Sequence, residues 1–367
     1  MSSAEKKHFV LNRFFKQLKK TDRLLLVGFL VVFIFVGVSF VLLPTFFFKT
    51  PERISSDLIQ KQVIVEPSQY RHPLTGVSVD QELQPPQVFS VMIDNHEDAW
   101  PPSGIEEAFL VVEAPVEGGI SRMLAFFSEE QEVEKIGPVR SARPYFLDWA
   151  NELDAVYAHV GGSNTALDLI ASGGTFDLNQ YWFGDYFWRS TDRYAPHNVY
   201  TSTQLLHEYY EFQEKQGEAP ERLYGFWTFK DPEPFFQEPA ARVQIISLLS
   251  IDWIYNPQKQ AYERSQFNEP HLTSSGNQIK ADNIAVVMTD IDIIDSVGRR
   301  EIRTLGEGQA FVFQDGHAIE ALWRKPSQTQ RLAFYDLQTN EEILMNAGVT
   351  WIEVIPNEEG LTFNERL

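Results

Sequence analysis

Cysteine is missing from all 367 residues of this sequence. Its absence excludes disulfides, thiolate metal sites, cysteine nucleophiles and lipid attachment through a cysteine. Positive charge is also scarce, with 31 Lys and Arg against 51 Asp and Glu and a formal net charge of −20. That balance speaks against a nucleic-acid partner, whose phosphates need neutralising cations, and fits an acidic surface that keeps the protein soluble. Lysine nearly vanishes between residues 111 and 200, where Lys135 stands alone beside Arg122, Arg140, Arg143, Arg189 and Arg193. Internal repeats and low-complexity tracts are absent too. With 43% apolar residues, the chain belongs to the globular class and is long enough for about two domains.

What is present begins with one long apolar run. "LLLVGFLVVFIFVGVSFVLLPTFFF", residues 24–48, carries no charge, and about 20 apolar residues suffice to cross a hydrocarbon core. It reads as a transmembrane helix. Lys6, Lys7, Arg13, Lys16, Lys19, Lys20 and Arg23 precede it, whereas only Lys49 and Arg53 follow closely. The positive-inside bias therefore places residues 1–23 in the cytoplasm and the bulk of the chain outside, as a single-pass protein of the plasma membrane. The rival reading, a cleaved signal peptide, calls for a shorter apolar core ending in small residues. Here the far end is Pro44 and three phenylalanines.

Residues 49–86, rich in Pro, Ser, Gln and charge, read as a stalk. A mixed α/β domain over 87–216 follows, opening with the buried strand "VFSVMIDN". "AFLVVEAPV" and "ISRMLAFFS" are two strands joined at Gly118-Gly119. "SARPYFLDWANEL" has the pattern of a helix capped by Ser141, with Pro144 in its first turn. "DAVYAHV" is a strand, and "SNTALDLIASGG" is a helix capped by Ser163 or Asn164 and stopped by glycine. A third helix spans about Thr203 to Gln216, with Thr201 and Gln204 as a capping box. Pro220, Pro232, Pro234 and Pro239 mark a linker over 217–241. Short strands then make 242–358 a mainly-β domain, with turns at Asn256-Pro257 and Asp315-Gly316 and a tail over 359–367. Its topology, sandwich or barrel, stays open.

Several residues carry candidate chemistry. Arg140 and Arg143 flank a Ser-Ala pair where a helix starts, a place that favours an anion, and the guanidinium fork suits carboxylate, phosphate or sulfate. The alternative is internal pairing with the domain's acids. Glu117 sits before the glycine turn that ends at Arg122. It is either a general acid, with Glu113, Asp94 or Asp154 as a second carboxylate, or a turn residue paired with Arg122. "HVGGSNTAL" offers Ser163 as a nucleophile with His159 or His197 as base, or Gly161, Gly162 and Ser163 as a backbone anion cradle, or simply a helix cap. The flanking residues do not form a Gly-x-Ser-x-Gly elbow. The loop "WRSTDRYAPHNVYTS" gathers Arg189, Asp192, Arg193, His197 and Asn198 and has the polarity of a site lining. "DNHED", residues 94–98, matches neither zinc spacing nor a calcium loop and reads as a plain loop after a strand. No metal and no cofactor are expected.

"VMIDNH", "SGIEEAFLVVEAPVEGGISRMLAFF", "IGPVRSARPYF", "DAVYAHVGGSNTAL" and "RYAPHNVYTS" resemble the N-terminal domain of the YerB-like family of bacterial envelope proteins. "NIAVVMTDIDIIDSVGRREI", "GEGQAFVFQDG", "RLAFYD" and "GVTWIEVIP" resemble that family's C-terminal domain. The likeness spans roughly residues 85–356. It implies an extracytoplasmic, cell-wall-facing protein built from two domains of unknown function. The family landmarks fall here on Asp94, Asn95, Glu113, Glu117, Arg122, Arg140, Ser141, Arg143, His159, Ser163, Arg193, His197 and Asn198, and bring no catalytic role. The anchor departs from the pattern, since many relatives are lipoproteins attached through a cysteine. Taken together, the expected function is binding of an anionic or glycan wall ligand, or of a wall-synthesis partner, through Arg122, Arg140, Arg143 and the His197 loop. The alternatives are a carboxylate-dependent hydrolase of wall glycan, and a structural spacer whose ion pairs are all internal.

Overall fold

Ten strands of one sheet run through both halves of the chain. The computed structural model describes residues 70–233, 242–245 and 250–364. The basic tail 1–23 and the apolar run 24–48 lie outside the described residues, as does the stalk up to residue 69 and part of the Pro-rich segment. Among the described residues no helix is long and apolar enough to cross a membrane. Residues Pro67–Leu367 cluster as one compact unit.

The principal strands are β1 (Val88–Asp94), β2 (Leu110–Pro115), β3 (Ser121–Ser128), β4 (Val156–His159), β5 (Phe176–Asn179), β6 (Arg242–Ile245), β7 (Ile251–Asn256) and β8 (Ala261–Gln266). They continue as β9 (Asn283–Met288), β10 (Gly306–Gln314), β11 (His317–Lys325), β12 (Ala333–Asp336), β13 (Thr350–Ile355) and β14 (Leu361–Asn364). The ten-stranded sheet has the order β12-β11-β10-β9-β13-β2-β3-β1-β4-β5. Its centre is a seam where β13 lies parallel to both β9 and β2, with Glu353 in register with Glu113. A second, six-stranded sheet holds β8, β7, β6 and β14 in that order, with the short strands Glu269–Pro270 and Lys280–Ala281 on β8. The fold is therefore mixed, with three α-helices among the described residues and a mainly-β second half.

Both faces of the large sheet are covered, which is why β1, β3 and β9 read as unbroken buried runs. On one face Val112, Leu124, Phe126 and Ile352 pack with Phe146 and Trp149 of helix α1 (Pro144–Asn151) and Ala166 of α2 (Asn164–Ala171). On the other, Val91, Val111, Ala125 and Trp351 pack with Leu206 and Tyr209 of α3 (Thr203–Gln216) and with Trp253 and Tyr262 of the second sheet. Each such fully buried Val, Leu, Ile or Phe side chain contributes about 1.5–3 kcal/mol. Glu152 ties α1 to the second half, since its carboxylate is buried against Lys325 Nζ at 3.0 Å and Arg331.

Local signals hold in part. Ser163 Oγ accepts from Ala166 N at 3.3 Å and caps α2. Asp315 and Gly316 both take positive φ between β10 and β11, as the hairpin turn requires. Two caps differ from expectation. The N-cap of α1 is Arg143, without a side-chain bond, because Pro144 already supplies the helical φ. Ser202, one residue beyond Thr201, caps α3 by accepting from Leu205 N at 3.2 Å, while Thr201 Oγ1 donates to Tyr186 O. Segments expected as connectors are packed as well. Leu74 and Trp227 are buried, and Arg71 meets Asp231 at 3.0 Å.

Candidate functional site

Arg122, Arg140 and Arg143 converge, and each meets a partner inside the protein, although the buried Nε atoms of Arg122 and Arg140 make no hydrogen bond of good geometry among the described residues. Arg122 projects from β3 opposite Asp94 on β1, is buried, and donates from Nη1 to Ser141 O at 2.7 Å. Burial, and then Arg143 nearby, pull its pKa down to about 10. Arg140 Nε lies 2.9 Å from Asp94 Oδ2. Arg143 grips Glu117 with Nε and Nη2, at 2.7–3.0 Å, while its Nη1 donates to Ala142 O. Burial opposes the charge on Glu117, but the hydrogen bonds and charge of Arg143 prevail and hold its carboxyl below the ordinary value. A carboxylate so held is a poor general acid near neutrality. Its partner is Arg143, not the Arg122 that the turn pointed to.

The glycine segment after β4 is likewise internally bonded. Gly161 N donates to Asn179 Oδ1 and Ser163 N to Ala142 O, so an anion cradle over Gly161, Gly162 and Ser163 would have to displace both. His159 is fully buried, with Nδ1 2.6 Å from Gly161 O and Nε2 2.6 Å from Asp177 Oδ1. Both ring nitrogens are thus taken up by partners inside the protein. Neither His159 nor His197 bonds Ser163 Oγ in this structure, and that oxygen serves the cap of α2.

Two loops meet at the end of β1. His197 Nδ1 lies 2.6 Å from the buried Asp94 Oδ2, and the His96 and His197 rings stack with centroids 4.9 Å apart. Arg193 donates to the carbonyls of Asp98 and Pro101, at 3.2 and 2.6 Å. Asn198 accepts from Arg189 and donates to Ser190 O, bracing the second loop.

One cleft opens beside Glu117 and Arg143, between α1, α2 and the hairpin Ile291–Ile293/Arg300–Ile302. Its volume is about 310 Å³, and Asp148, Thr165, Gly173, Arg299 and Glu301 help to line it. Arg299 is paired with Asp295 at 3.1 Å. Arg300 is different. It borders this cleft and a smaller hollow of about 120 Å³, and its buried Nε has no hydrogen-bond partner among the described residues. The small hollow reaches Glu113 and Glu353 on the central seam.

That seam holds the charge cluster least visible in the sequence. Arg264 of β8 is fully buried and donates from Nη2 to both oxygens of Glu113, at 3.1 and 2.9 Å. Trp351 Nε1 and Asn95 Nδ2 donate to Glu113 at 3.1 Å each, and Ser121 Oγ joins them. These are all donors, the pattern an ionised carboxylate satisfies. Glu353 accepts from Trp253 Nε1 at 2.9 Å. Burial, and then the charge of Glu113, push its carboxyl up to about 8 against Arg264 and Trp253. A lone Glu inside an otherwise apolar strand, as in "LVVEAP" and "TWIEVI", is the signal that marks both positions.

Residues 74–217 match the N-terminal domain, and residues 242–352 the C-terminal domain, of a family described as "Protein of unknown function (DUF3048)". The chain belongs to the YerB-like DUF3048 family. It is 30% identical over 305 residues to the putative lipoprotein YerB of Bacillus subtilis (strain 168), an alignment covering 80% of this chain and 88% of that protein. The crystal structure of the Bacillus subtilis YerB protein superposes with a TM-score of 0.71 at 29% identity, over 80% of this chain and 99% of that one. Both DUF3048 domains contribute strands to the ten-stranded sheet, where β2 pairs with β13 at the end of the C-terminal match.

Proposed function

We propose that this DUF3048 protein is held at the outer face of the membrane, where its cleft binds a wall glycan bearing carboxylate or other anionic groups. A relative named as a putative lipoprotein supports membrane attachment. The present sequence offers the apolar run 24–48 for that purpose in place of a lipidated cysteine. The observation that carries the binding reading is Arg300. Arg143 and Arg299 are each closed by an acid, whereas Arg300 borders the cleft with no acid paired to it among the described residues. Thr165, Asp148 and Glu301 add hydroxyl and carboxylate groups suited to sugar hydroxyls. A cleft of this size fits a short stretch of glycan.

The test is retention of the full chain, in detergent micelles, on purified wall polymer. Arg300→Ala is expected to weaken retention by about 10-fold or more, the value of one charge-assisted hydrogen bond. Retention equal to wild type in a folded Arg300→Ala variant overturns the reading.

The hydrolytic alternative gains one observation and moves away from Glu117. Glu353, with its raised pKa, and Glu113, held by Arg264, form an acid and carboxylate pair beside the 120 Å³ hollow. This reading requires the full chain to release reducing ends from wall glycan, and Glu353→Gln to abolish that release. Failure to detect product between about pH 5 and 9, a range bracketing the raised carboxyl, removes it.

A further inference from the structure

The loop "DNHED" and the loop "RYAPHN" lie apart from the cleft, and the glycan reading uses neither. In the structure they become one site. His96, Asp98 and His197 each offer a ligand atom, and these atoms lie within 4.8 Å of one another. We propose that they bind a divalent transition-metal ion, with zinc as the ion their donor set fits.

Three observations carry this. First, His197 is prepared as a ligand. Its Nδ1 faces the Asp94 carboxylate at 2.6 Å, and Asp94, fully buried, is also paired with Arg140. The carboxylate accepts, so the ring proton resides on Nδ1 and the lone pair on Nε2 is left for an ion. This is the carboxylate–histidine arrangement that orients imidazoles at metal centres. Second, the two loops are fixed to each other. Arg193 of one loop bonds the carbonyls of Asp98 and Pro101 in the other, while Asn198 braces its own loop through Ser190. Third, the site has an entry path, because the side chain of Asp98 is 69% exposed and that of His96 36%.

Two imidazoles and one carboxylate form a three-ligand set with a fourth position open to solvent. Bonds of about 2.0 Å bring tetrahedral ligand atoms to about 3.3 Å from one another, so the present spacing must contract. The exposed Asp98 side chain supplies that movement. His96 must also give up its present bond, in which Nδ1 accepts from Asp98 N at 3.1 Å. Charge shapes the fourth ligand. Asp94 is already paired with Arg140, so a divalent ion held by the single charge of Asp98 keeps net positive charge that favours an anion or hydroxide in the open position.

The experiment titrates zinc chloride into the metal-stripped full chain in detergent micelles by calorimetry, and repeats the titration with cobalt while reading visible absorption. One ion per chain is expected, with the intense visible bands of four-coordinate cobalt. His197→Ala and His96→Gln should each remove the calorimetric signal. Asp94→Asn keeps all three ligands and should weaken affinity by about 10- to 100-fold. His207→Ala, on α3 away from the site, should change nothing. Thermal melting without metal confirms that each variant folds. The proposal is overturned if wild type shows no saturable binding, or if binding persists unchanged in His197→Ala and His96→Gln.

Discussion

Replacing Arg264 with methionine is expected to cost the protein about 3–5 kcal/mol, the penalty for stripping the counter-ion from a buried pair. The side chain is fully buried, packed within 5.7 Å of the Trp253 ring and 5.3 Å of the Trp351 ring. Its guanidinium is the cation that faces both Glu113 and Glu353. Methionine retains most of the apolar stem, so the loss reports charge rather than volume. Urea unfolding of the full chain at pH 8 measures it. The same variant at pH 5 should lose less, because buried carboxylates without a counter-ion take up protons. Removing all three ionisable side chains together, as Glu113→Met with Arg264→Met and Glu353→Leu, should cost less than the single change, since no uncompensated ion is left. A loss below about 1 kcal/mol in Arg264→Met at pH 8 would mean that water screens these groups as it does surface pairs.

This cluster shows why part of the fold was legible in the sequence and part was not. Strands β1, β3 and β9 announce themselves as apolar runs, and the turns at Gly118-Gly119 and Asp315-Gly316 adopt the positive φ that their residues permit. Those are local properties. The parallel pairing of β2 with β13 joins positions about 240 residues apart, and no periodicity within either strand specifies its neighbour. Glu113 therefore reads as one of three possible second carboxylates until the seam places Glu353 beside it. The loop after β1 behaves the same way. "DNHED" alone lacks a ligand frame, and only Asp94 reaching His197 supplies one. The arginine skew around residue 140 was visible, and the structure accounts for most of it internally, through Glu117, Asp94 and the Ser141 carbonyl. Arg300, in "SVGRREI", had no such local emphasis. It matters because the hairpin sets it between two hollows.

Glu353 fixes the sign of one pH dependence, and here the expectation runs opposite to ordinary acid denaturation. Its carboxyl is raised from 4.5 to about 8 in the folded state, by burial first and by Glu113 second. Between those values the folded protein keeps a proton that the unfolded chain has released. This contribution to stability is fully present below about pH 4.5 and is lost as the pH climbs through about 8, at up to about 1.4 kcal/mol per unit. Glu117, whose carboxyl is lowered by Arg143, contributes in the other direction and only toward acid. Glu353→Gln retains an oxygen to accept from Trp253 Nε1 and cannot ionise. The variant should lie within about 1 kcal/mol of wild type at pH 5 and exceed it by about 2–4 kcal/mol at pH 8.5, where wild type must expel or ionise its proton. Urea midpoints and slopes across that range measure the difference. Parallel stability curves for the two proteins would show that Glu353 is ionised throughout and that Arg264 compensates both carboxylates of the seam.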